Sequence, residues 1–169
     1  MRVEAPIKVD RKTKKLAKRL SAGEIAVINH IDIDEVAANS LVERKIKLVI
    51  NAAPSISGRY PNKGPKILID NNILIIDNVG ENVFEELKEG QVIEVNNGQI
   101  YRDGQFIGSG EVMDKSVVEK RTQIAYENMS VELDRFIDNT IEYAKRERGF
   151  ILGETEIPKM TTNYKDRHV

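Results

Sequence analysis

The chain contains no cysteine and no tryptophan, and only two of its 169 residues are histidines, His30 and His168. The absence of cysteine excludes disulfides, thiolate catalysis and cysteine-ligated metals together. Zinc sites are built mainly from cysteine and histidine, so this composition does not favour one. The chemistry available to the chain is therefore that of hydroxyl, amide, carboxylate and cationic side chains.

An excess of charge is also absent, because 26 Lys and Arg residues are balanced by 27 Asp and Glu residues, giving a formal net charge of -1. A nucleic-acid partner is not expected for a chain without a basic excess. No apolar run approaches the roughly 20 residues that a membrane span requires, and the N-terminus lacks the apolar core of a signal peptide. The sequence thus predicts no transmembrane segment and a cytoplasmic location.

Hydrophobic residues make up 40% of the chain and charged residues 31%, which is typical of folded globular proteins rather than disordered ones. Residues 8–19 carry seven cations, and Leu16 and Leu20 give this run a narrow apolar stripe. We therefore predict a basic N-terminal helix within residues 1–21. Such a run is typical of a solvated helix face, and the alternative is contact with an anionic lipid surface or nucleic acid.

Short apolar runs alternate with helical patterns after residue 22. The predicted buried strands are residues 25–28, 47–50 and 73–76. Asp32 is predicted to cap a helix from residue 33 to about residue 44, and further helices are predicted from Pro65 and over residues 82–88. This alternation predicts a parallel α/β layer.

The pattern changes after residue 90. Turns of Asn-Asn-Gly at residues 96–98 and Arg-Asp-Gly at residues 102–104 predict β-hairpins. Residues 114–148 then form one long helical pattern without proline or glycine, which either breaks near residues 128–130, lies along its own domain, or pairs with a partner. We predict an α/β domain over residues 22–112, with a β-hairpin layer, and a connecting helix over residues 113–150 that forms a homodimer.

The candidate site is the polar loop that follows the strand at residues 47–50. Loops at the carboxyl ends of strands are where ligands bind in α/β sheets. Arg59 is the one guanidinium of this loop, and its planar donors suit a phosphate or carboxylate. His30 and Asp77 are expected to border the same crevice. The predicted ligand-binding residues are Asn51, Ser55, Ser57, Gly58, Arg59, Tyr60, Asn62, His30 and Asp77. The alternative is that the prolines and glycines only shape a crossover loop, which Arg59 and Tyr60 cap.

Two resemblances add to this interpretation. The run from Gly64 to Ile76, followed by residues 87–96, resembles the swivelling β/β/α phosphohistidine domain of PEP-utilising enzymes. In that family a histidine opens the helix and carries phosphate, but here the position falls at about Lys63. The resemblance therefore implies a swivelling β/β/α-type fold without phosphotransfer.

Residues 23–30, 51–62 and 77–80 together resemble the bacterial SteA family of cytokinetic-ring proteins, and the run Ser57-Gly58-Arg59-Tyr60-Pro61-Asn62 is the most specific part. Proteins of that family carry a thiamin-pyrophosphokinase-like domain after this region. The resemblance implies that residues 151–169 are a linker toward such a domain. ATP and Mg would belong to that domain, and no cofactor is expected in the present chain.

These observations favour a non-catalytic N-terminal module that binds an anionic small molecule or protein partner and positions a nucleotide-handling domain, in a role in cell division. The alternative is a part of an ATP-dependent thiamin-pyrophosphokinase-like enzyme. Against the alternative, the sequence has no P-loop, and its polar loop has no carboxylate cluster suited to Mg²⁺. We therefore expect no kinase or phosphotransfer activity from these residues alone.

Overall fold

The computed structural model describes residues 1–153, and the chain divides into two compact units, of which the first is Met1–Ser130 and the second begins at Val131. The strands are β1 (Arg2–Val9), β2 (Ile25–Ile28), β3 (Leu48–Asn51), β4 (Leu74–Asp77), β5 (Val92–Asn96), β6 (Gln99–Arg102), β7 (Gln105–Ser109) and β8 (Glu111–Met113). The helices are α1 (Thr13–Ala17), α2 (Glu35–Val42), α3 (Gly64–Asp70), α4 (Glu81–Glu86) and α5 (Lys115–Ile151).

The eight strands of residues 1–153 belong to one mixed sheet in the order β7-β6-β5-β1-β2-β3-β4-β8. Strands β1 to β4 are parallel to one another, whereas β5, β6, β7 and β8 each run antiparallel to the neighbours they pair with. The predicted α/β class, with a parallel layer and added hairpins, is therefore confirmed. All four parallel strands end at the same edge of the sheet.

Apolar side chains cover both faces of β2, β3 and β4, which explains why these strands read as continuous hydrophobic runs. On one face, Ala26 and Ile28 pack in a cluster with residues of α1, α2, α3 and the first turns of α5. On the other face, Ile25 and Val27 pack with α4 and with inward residues of β5 and β6. The sheet is thus the middle layer of the first unit.

The predicted basic helix within residues 1–21 is wrong over its first half. Residues 2–9 form β1, which pairs with β2 on one side and with β5 on the other. The cause is a two-residue alternation in which Ala5 and Ile7 are buried between more exposed neighbours, and only Lys8 of the cationic run lies in this strand. Within residues 1–21, only the five residues of α1 are helical. The N-terminal segment belongs to the same compact unit as the rest of the sheet.

The predicted cap of α2 is also corrected. The carboxylate of Asp34, not that of Asp32, accepts a hydrogen bond from the Ala37 backbone N–H at 2.7 Å. Asp32 has a φ of 53°, which is outside the range of a helix cap, and its side chain bonds elsewhere. Helix α2 consequently begins two residues later than predicted.

Both predicted hairpin turns are confirmed. Asn97 and Gly98 have positive φ values of 47° and 85°, and Asp103 and Gly104 have values of 51° and 76°. Positive φ at both central residues is the requirement of the tight turn that Asn-Gly and Asp-Gly favour. The sequence signal and the backbone geometry agree.

Helix α5 runs from Lys115 to Ile151 without interruption at residues 128–130. In the first unit, its residues Val118 and Ala125 are buried. Among the residues that the structure describes, no helix combines the length and apolarity of a membrane crossing. The predicted linker at residues 151–169 falls almost wholly on residues 154–169, outside the described part of the chain.

Candidate functional site

Two regions with polar residues occupy the carboxyl edge of the parallel strands. The first, which we call the edge loop, comprises residues 51–62 and follows β3. The second, which we call the basic cavity, lies where β1 and β2 end and is lined by Lys12, Lys14 and His30, among other residues. Carboxyl edges of this kind hold ligand sites in α/β folds, so each region was a candidate.

Asn51 is the residue at which the edge loop begins, and its side chain is fully buried. Its Nδ2 donates to the carbonyl of His30 and to Ser55 Oγ, both at 2.8 Å, while its Oδ1 accepts from the His30 backbone N–H at 3.0 Å. The amide thus holds both main-chain groups of His30 and one side chain of the loop. Asn51 and His30 are in contact, but Asn51 bonds to the backbone of His30 and not to its ring.

Asp77 closes the same network from the end of β4. Its Oδ1 accepts from the Ser55 backbone N–H at 2.9 Å and from Ser55 Oγ at 2.6 Å. Its Oδ2 accepts from the guanidinium of Arg121 in α5 at 3.2 Å. Burial raises the pKa of Asp77, although the hydrogen bonds from Ser55 and the charge of Arg121 act in the opposite direction. A buried carboxylate with all these partners is a structural element of the loop.

The outer part of the edge loop is fixed to the start of α2. Asp32 accepts from the Ser57 backbone N–H at 2.6 Å and from Ser57 Oγ at 2.8 Å. Asn62 Nδ2 donates to the carbonyl oxygens of Ile33 and Ser55, whereas its buried Oδ1 has no hydrogen-bond partner among the described residues. Most polar side chains of the loop are therefore already engaged.

At the end of the edge loop, the main chain makes a close contact with the segment that enters α2. Gly64, the first residue of α3, lies against the main chain of Ile33 and Asp34, and a Cβ atom there would collide with the Ile33 carbonyl. Only glycine permits this approach. The edge loop and the chain entering α2 are thus held together at Gly64.

The tip of the edge loop has a different character. Gly58 has a φ of 85°, and its carbonyl accepts from Asn128 Nδ2 of α5 at 2.8 Å. Arg59 and Tyr60 are exposed, and within residues 1–153 their side chains make no hydrogen bond or ion pair. Beside the tip, a crevice of about 370 Å³ is lined by loop residues together with Asn78 and Arg121. The tip therefore presents a guanidinium and a phenol on a fixed base.

The basic cavity measures about 570 Å³ and lies between the chain that leaves β1 and the start of α2. His30 Nδ1 and the hydroxyl of buried Thr13 share a hydrogen bond of 2.9 Å, and His30 Nε2 lies 3.9 Å from Asp34 Oδ2. Lys12 and Lys14 line the cavity and have no ion pair among the described residues. This cavity combines cations, an imidazole and one carboxylate.

Arg11 also lines the basic cavity, but its charge is already paired. Its guanidinium donates to both Glu81 and Glu85 of α4 and lies over the ring of Phe84, 4.8 Å from the ring centre. The same ion pair lowers the pKa of Glu81. Arg11 thus lines the cavity with its charge already paired, and within the described residues Lys12 and Lys14 are the lining cations without an ion pair.

The predicted crevice bordered by Asn51, Asp77 and His30 is not found. Asn51 and Asp77 are buried, and the His30 ring lines the basic cavity instead of the crevice beside the loop tip. The sequence did not identify Arg121 as the partner of Asp77. The two residues are 44 positions apart, and one arginine in a charged helix gives no local signal of such a contact. The basic run of residues 8–19 was a usable signal for Lys12 and Lys14.

Among the described residues, no group of three or more His, Asp and Glu side chains is placed to hold a metal ion. No protein-family model and no curated protein matches the sequence. Among solved structures, the chain is similar to 3-isopropylmalate dehydratase (leuD) of Methanocaldococcus jannaschii, with 12% identity, a TM-score of 0.42, and coverage of 80% of this chain and 99% of that chain. A TM-score this low does not establish a shared fold.

Proposed function

We propose that this chain is a non-catalytic module of a SteA-type protein, which binds an anionic ligand or partner through the tip of the edge loop. The resemblance at residues 23–30, 51–62 and 77–80 supports the family, and the mixed sheet with its hairpin layer is compatible with a swivelling β/β/α-type domain. In such a protein the module would position a thiamin-pyrophosphokinase-like domain, which would use ATP and Mg, in a role in cell division.

One observation carries the proposal of binding. The edge loop uses the polar side chains at its base for internal hydrogen bonds, but it leaves Arg59 and Tyr60 exposed at its tip. Arginine and tyrosine are enriched among the residues that dominate protein interfaces. A guanidinium on a rigid loop also loses little conformational freedom when it forms a bidentate pair with a carboxylate or phosphate.

The engaged side chains also support a non-catalytic role. Ser55 Oγ donates to a buried carboxylate that Arg121 already pairs, and Ser57 Oγ donates to Asp32. A nucleophilic hydroxyl needs a base that is free to take its proton and a position that substrate can reach. Ser55 is buried and its acceptor is already paired, so it meets neither condition.

The test is a titration of the isotope-labelled chain with pyrophosphate and with citrate, as phosphate and carboxylate probes, followed by amide NMR. The amide signals of residues 57–60 should shift with at least one probe, and Arg59→Ala should abolish the shift. Arg59→Lys should restore it only in part, because an ammonium cannot form the planar bidentate pair. Equal shifts in the parent chain and Arg59→Ala, or no shift with either probe, would overturn the proposal.

Thermal melting separates this role from a structural one. Arg59→Ala should change the unfolding free energy by less than about 0.5 kcal/mol, as for other exposed side chains without partners. A loss of about 1 kcal/mol or more would mean that Arg59 holds the loop in place. The binding proposal would then fail even if the shifts disappeared.

We further propose that the partner of α5 is a second copy of this chain. Within the second unit, Leu133, Phe136, Ile137 and Ile141 are exposed at helical spacing and form one apolar stripe. Residues 132–142 carry four acidic side chains and one arginine, whereas residues 145–148 carry three cations and one glutamate. An antiparallel second helix would place each acidic segment opposite a basic one.

Light scattering during gel filtration tests this pairing. The chain should be dimeric, and Leu133→Glu combined with Ile137→Glu should give monomers, because like charges would be buried in the seam. Asn139→Glu, on the opposite face of the helix, should leave the mass unchanged. A parent chain that is monomeric at high micromolar concentration contradicts the pairing.

A further inference from the structure

The basic cavity is a second, separate region of the carboxyl edge, and its lining differs from that of the edge loop. Its volume of about 570 Å³ is within the range of small-molecule pockets, which span roughly 300–1,000 Å³. Its walls come from the segments that follow β1 and β2, including the start of α1, and from the first turns of α2. The cavity therefore has the size and the position of a ligand site.

The charges of the cavity are divided between two sides. Lys12 and Lys14 come from the chain that leaves β1 and lack an ion pair among the described residues, as noted above. Asp34 comes from the start of α2, where its Oδ1 caps the helix and its Oδ2 faces the His30 ring. Two free ammonium groups on one side suit a phosphate, and a carboxylate on the other side accepts hydrogen bonds from hydroxyls.

The cavity also has apolar surface that is exposed in the described part of the chain. Ile31 and Val36 line it and are exposed by 57% and 75%. Apolar side chains with this exposure beside polar ones suit a ligand with a flat or apolar part. An inorganic anion alone would leave this surface in water.

We propose that the basic cavity binds a hydroxyl-bearing organic phosphate of nucleotide size. Lys12 and Lys14 contact the phosphate, Asp34 and the His30 ring contact hydroxyl groups, and Ile31 and Val36 cover the apolar part. The buried hydroxyl of Thr13 fixes the orientation of the His30 ring through the 2.9 Å hydrogen bond to Nδ1. This inference goes beyond the proposed function, because it concerns a different ligand at a different region.

The experiment uses AMP as the probe and calorimetry to measure its affinity. Lys12→Ala combined with Lys14→Ala should weaken AMP binding by about tenfold or more, since each lost charge-assisted contact costs more than a neutral hydrogen bond. The matched control is Lys15→Ala combined with Lys18→Ala, which removes the same charge from the same basic run at exposed positions that do not line the cavity. An equal loss in both double variants would mean that only bulk charge attracts AMP, and it would overturn the site.

A second measurement reports on the cavity directly. The chain has two histidines, so the imidazole proton signals can be assigned by comparing the parent chain with His30→Gln. AMP should shift the His30 ring signals, which are the ones that disappear in His30→Gln. At about 10 mM AMP, even a weak specific site would be largely occupied. The absence of any shift of the His30 signals at this concentration would overturn the proposal.

Two further probes define the ligand class. Adenosine should bind at least about tenfold more weakly than AMP, because it lacks the phosphate that the lysines contact, and inorganic phosphate should also bind more weakly. Affinity for either compound equal to that for AMP would overturn the proposal. The His30 ring signals report on the cavity and the amide signals of residues 57–60 report on the loop tip, so failure at one region and failure at the other can be distinguished.

Discussion

The edge loop and the basic cavity lie at the same edge of one sheet and contain similar kinds of residue, yet their side chains are used differently. At the base of the edge loop, Asn51, Ser55 and Asp77 bond to one another and to main-chain groups. In the basic cavity, Lys12 and Lys14 have no charge partner among the described residues. Polar side chains at a strand end do not by themselves indicate a ligand site. A better indication is polar side chains whose hydrogen-bonding groups are not already used within the protein.

The difference has a physical cause. A loop that is buried beneath its neighbours must satisfy its backbone N–H and C=O groups without water, so its polar side chains serve as substitutes for solvent. The cavity opens to water, and cations along its wall are hydrated without protein partners. The four predictions below test this difference, beginning with the largest expected effect.

Gly64→Ala should have the largest effect, because a Cβ atom would collide with the Ile33 carbonyl and separate the edge loop from the start of α2. We expect a loss of about 3 kcal/mol in the unfolding free energy, at the upper end of the range for overpacking. Denaturation in urea measures it. Gly104→Ala is the control, since its φ is 76° but no atom lies near the added Cβ, and backbone strain alone should cost about 1 kcal/mol. Equal losses for both variants would show that the contact at Gly64 yields easily.

Ser55→Ala should lower the unfolding free energy by about 2 kcal/mol, because it leaves Asp77 and Asn51 short of a buried partner. Ser40→Ala, beside the basic cavity, removes a hydroxyl that bonds only to the Val36 carbonyl within its own helix, and it should cost less than about 0.5 kcal/mol. Thermal melts of the two variants compare the regions directly. Similar losses in both would remove the distinction between them.

Asp77→Asn should reveal the pKa of this carboxyl through the pH dependence of stability. Burial raises the pKa of Asp77 above its ordinary value of 3.8, so the folded state keeps the proton over a pH range in which the unfolded state has lost it. The contribution of Asp77 to stability is thus fully present below pH 3.8 and decreases as the pH rises through the folded-state pKa. The parent chain should exceed Asp77→Asn in stability by its widest margin at acid pH.

Unfolding curves from about pH 3 to pH 8 measure this margin for the pair of proteins, and the other titrating groups cancel in the difference. A margin that widens with increasing pH would contradict the prediction. It would mean that Arg121 and Ser55 stabilise the carboxylate by more than burial disfavours it.

Lys12→Ala combined with Lys14→Ala should have the smallest effect on stability, with a change below about 0.5 kcal/mol in either direction. The reason is that no ion pair of the described residues would be lost. Urea denaturation at low and at physiological salt measures the change. A loss above about 1 kcal/mol would show that these lysines support the fold, and the comparison with the edge loop would fail.

The sequence allowed the α/β class, the parallel strands and both hairpins to be predicted, because these depend on local patterns of apolar residues and on Asn-Gly or Asp-Gly turns. It did not reveal β1, because the basic run from residue 8 favoured a helix, or β8, whose place depends on pairing with β4. A strand of three residues such as β8 has too few positions for a period to be recognised.

The candidate site was predictable only in part, for the same reason. The polar composition of residues 51–62 located a distinctive loop, but the engagement of Ser55 and Asp77 depends on Arg121 and on Asn51, which tertiary structure brings together. The exposure of Arg59 follows from that engagement. The assignment of His30 to another cavity follows from the strand order, which the sequence pattern does not specify.

The side chain of Asn51 touches both regions, since it bonds to the main chain of His30 and to Ser55 Oγ. Any ligand that moves His30 therefore changes the environment of the edge loop through a single amide. Thermodynamic linkage then requires reciprocity: if AMP in the basic cavity alters the affinity of the loop tip for an anion, that anion alters the affinity for AMP by the same factor. Asn51 is thus the side chain through which such coupling would pass.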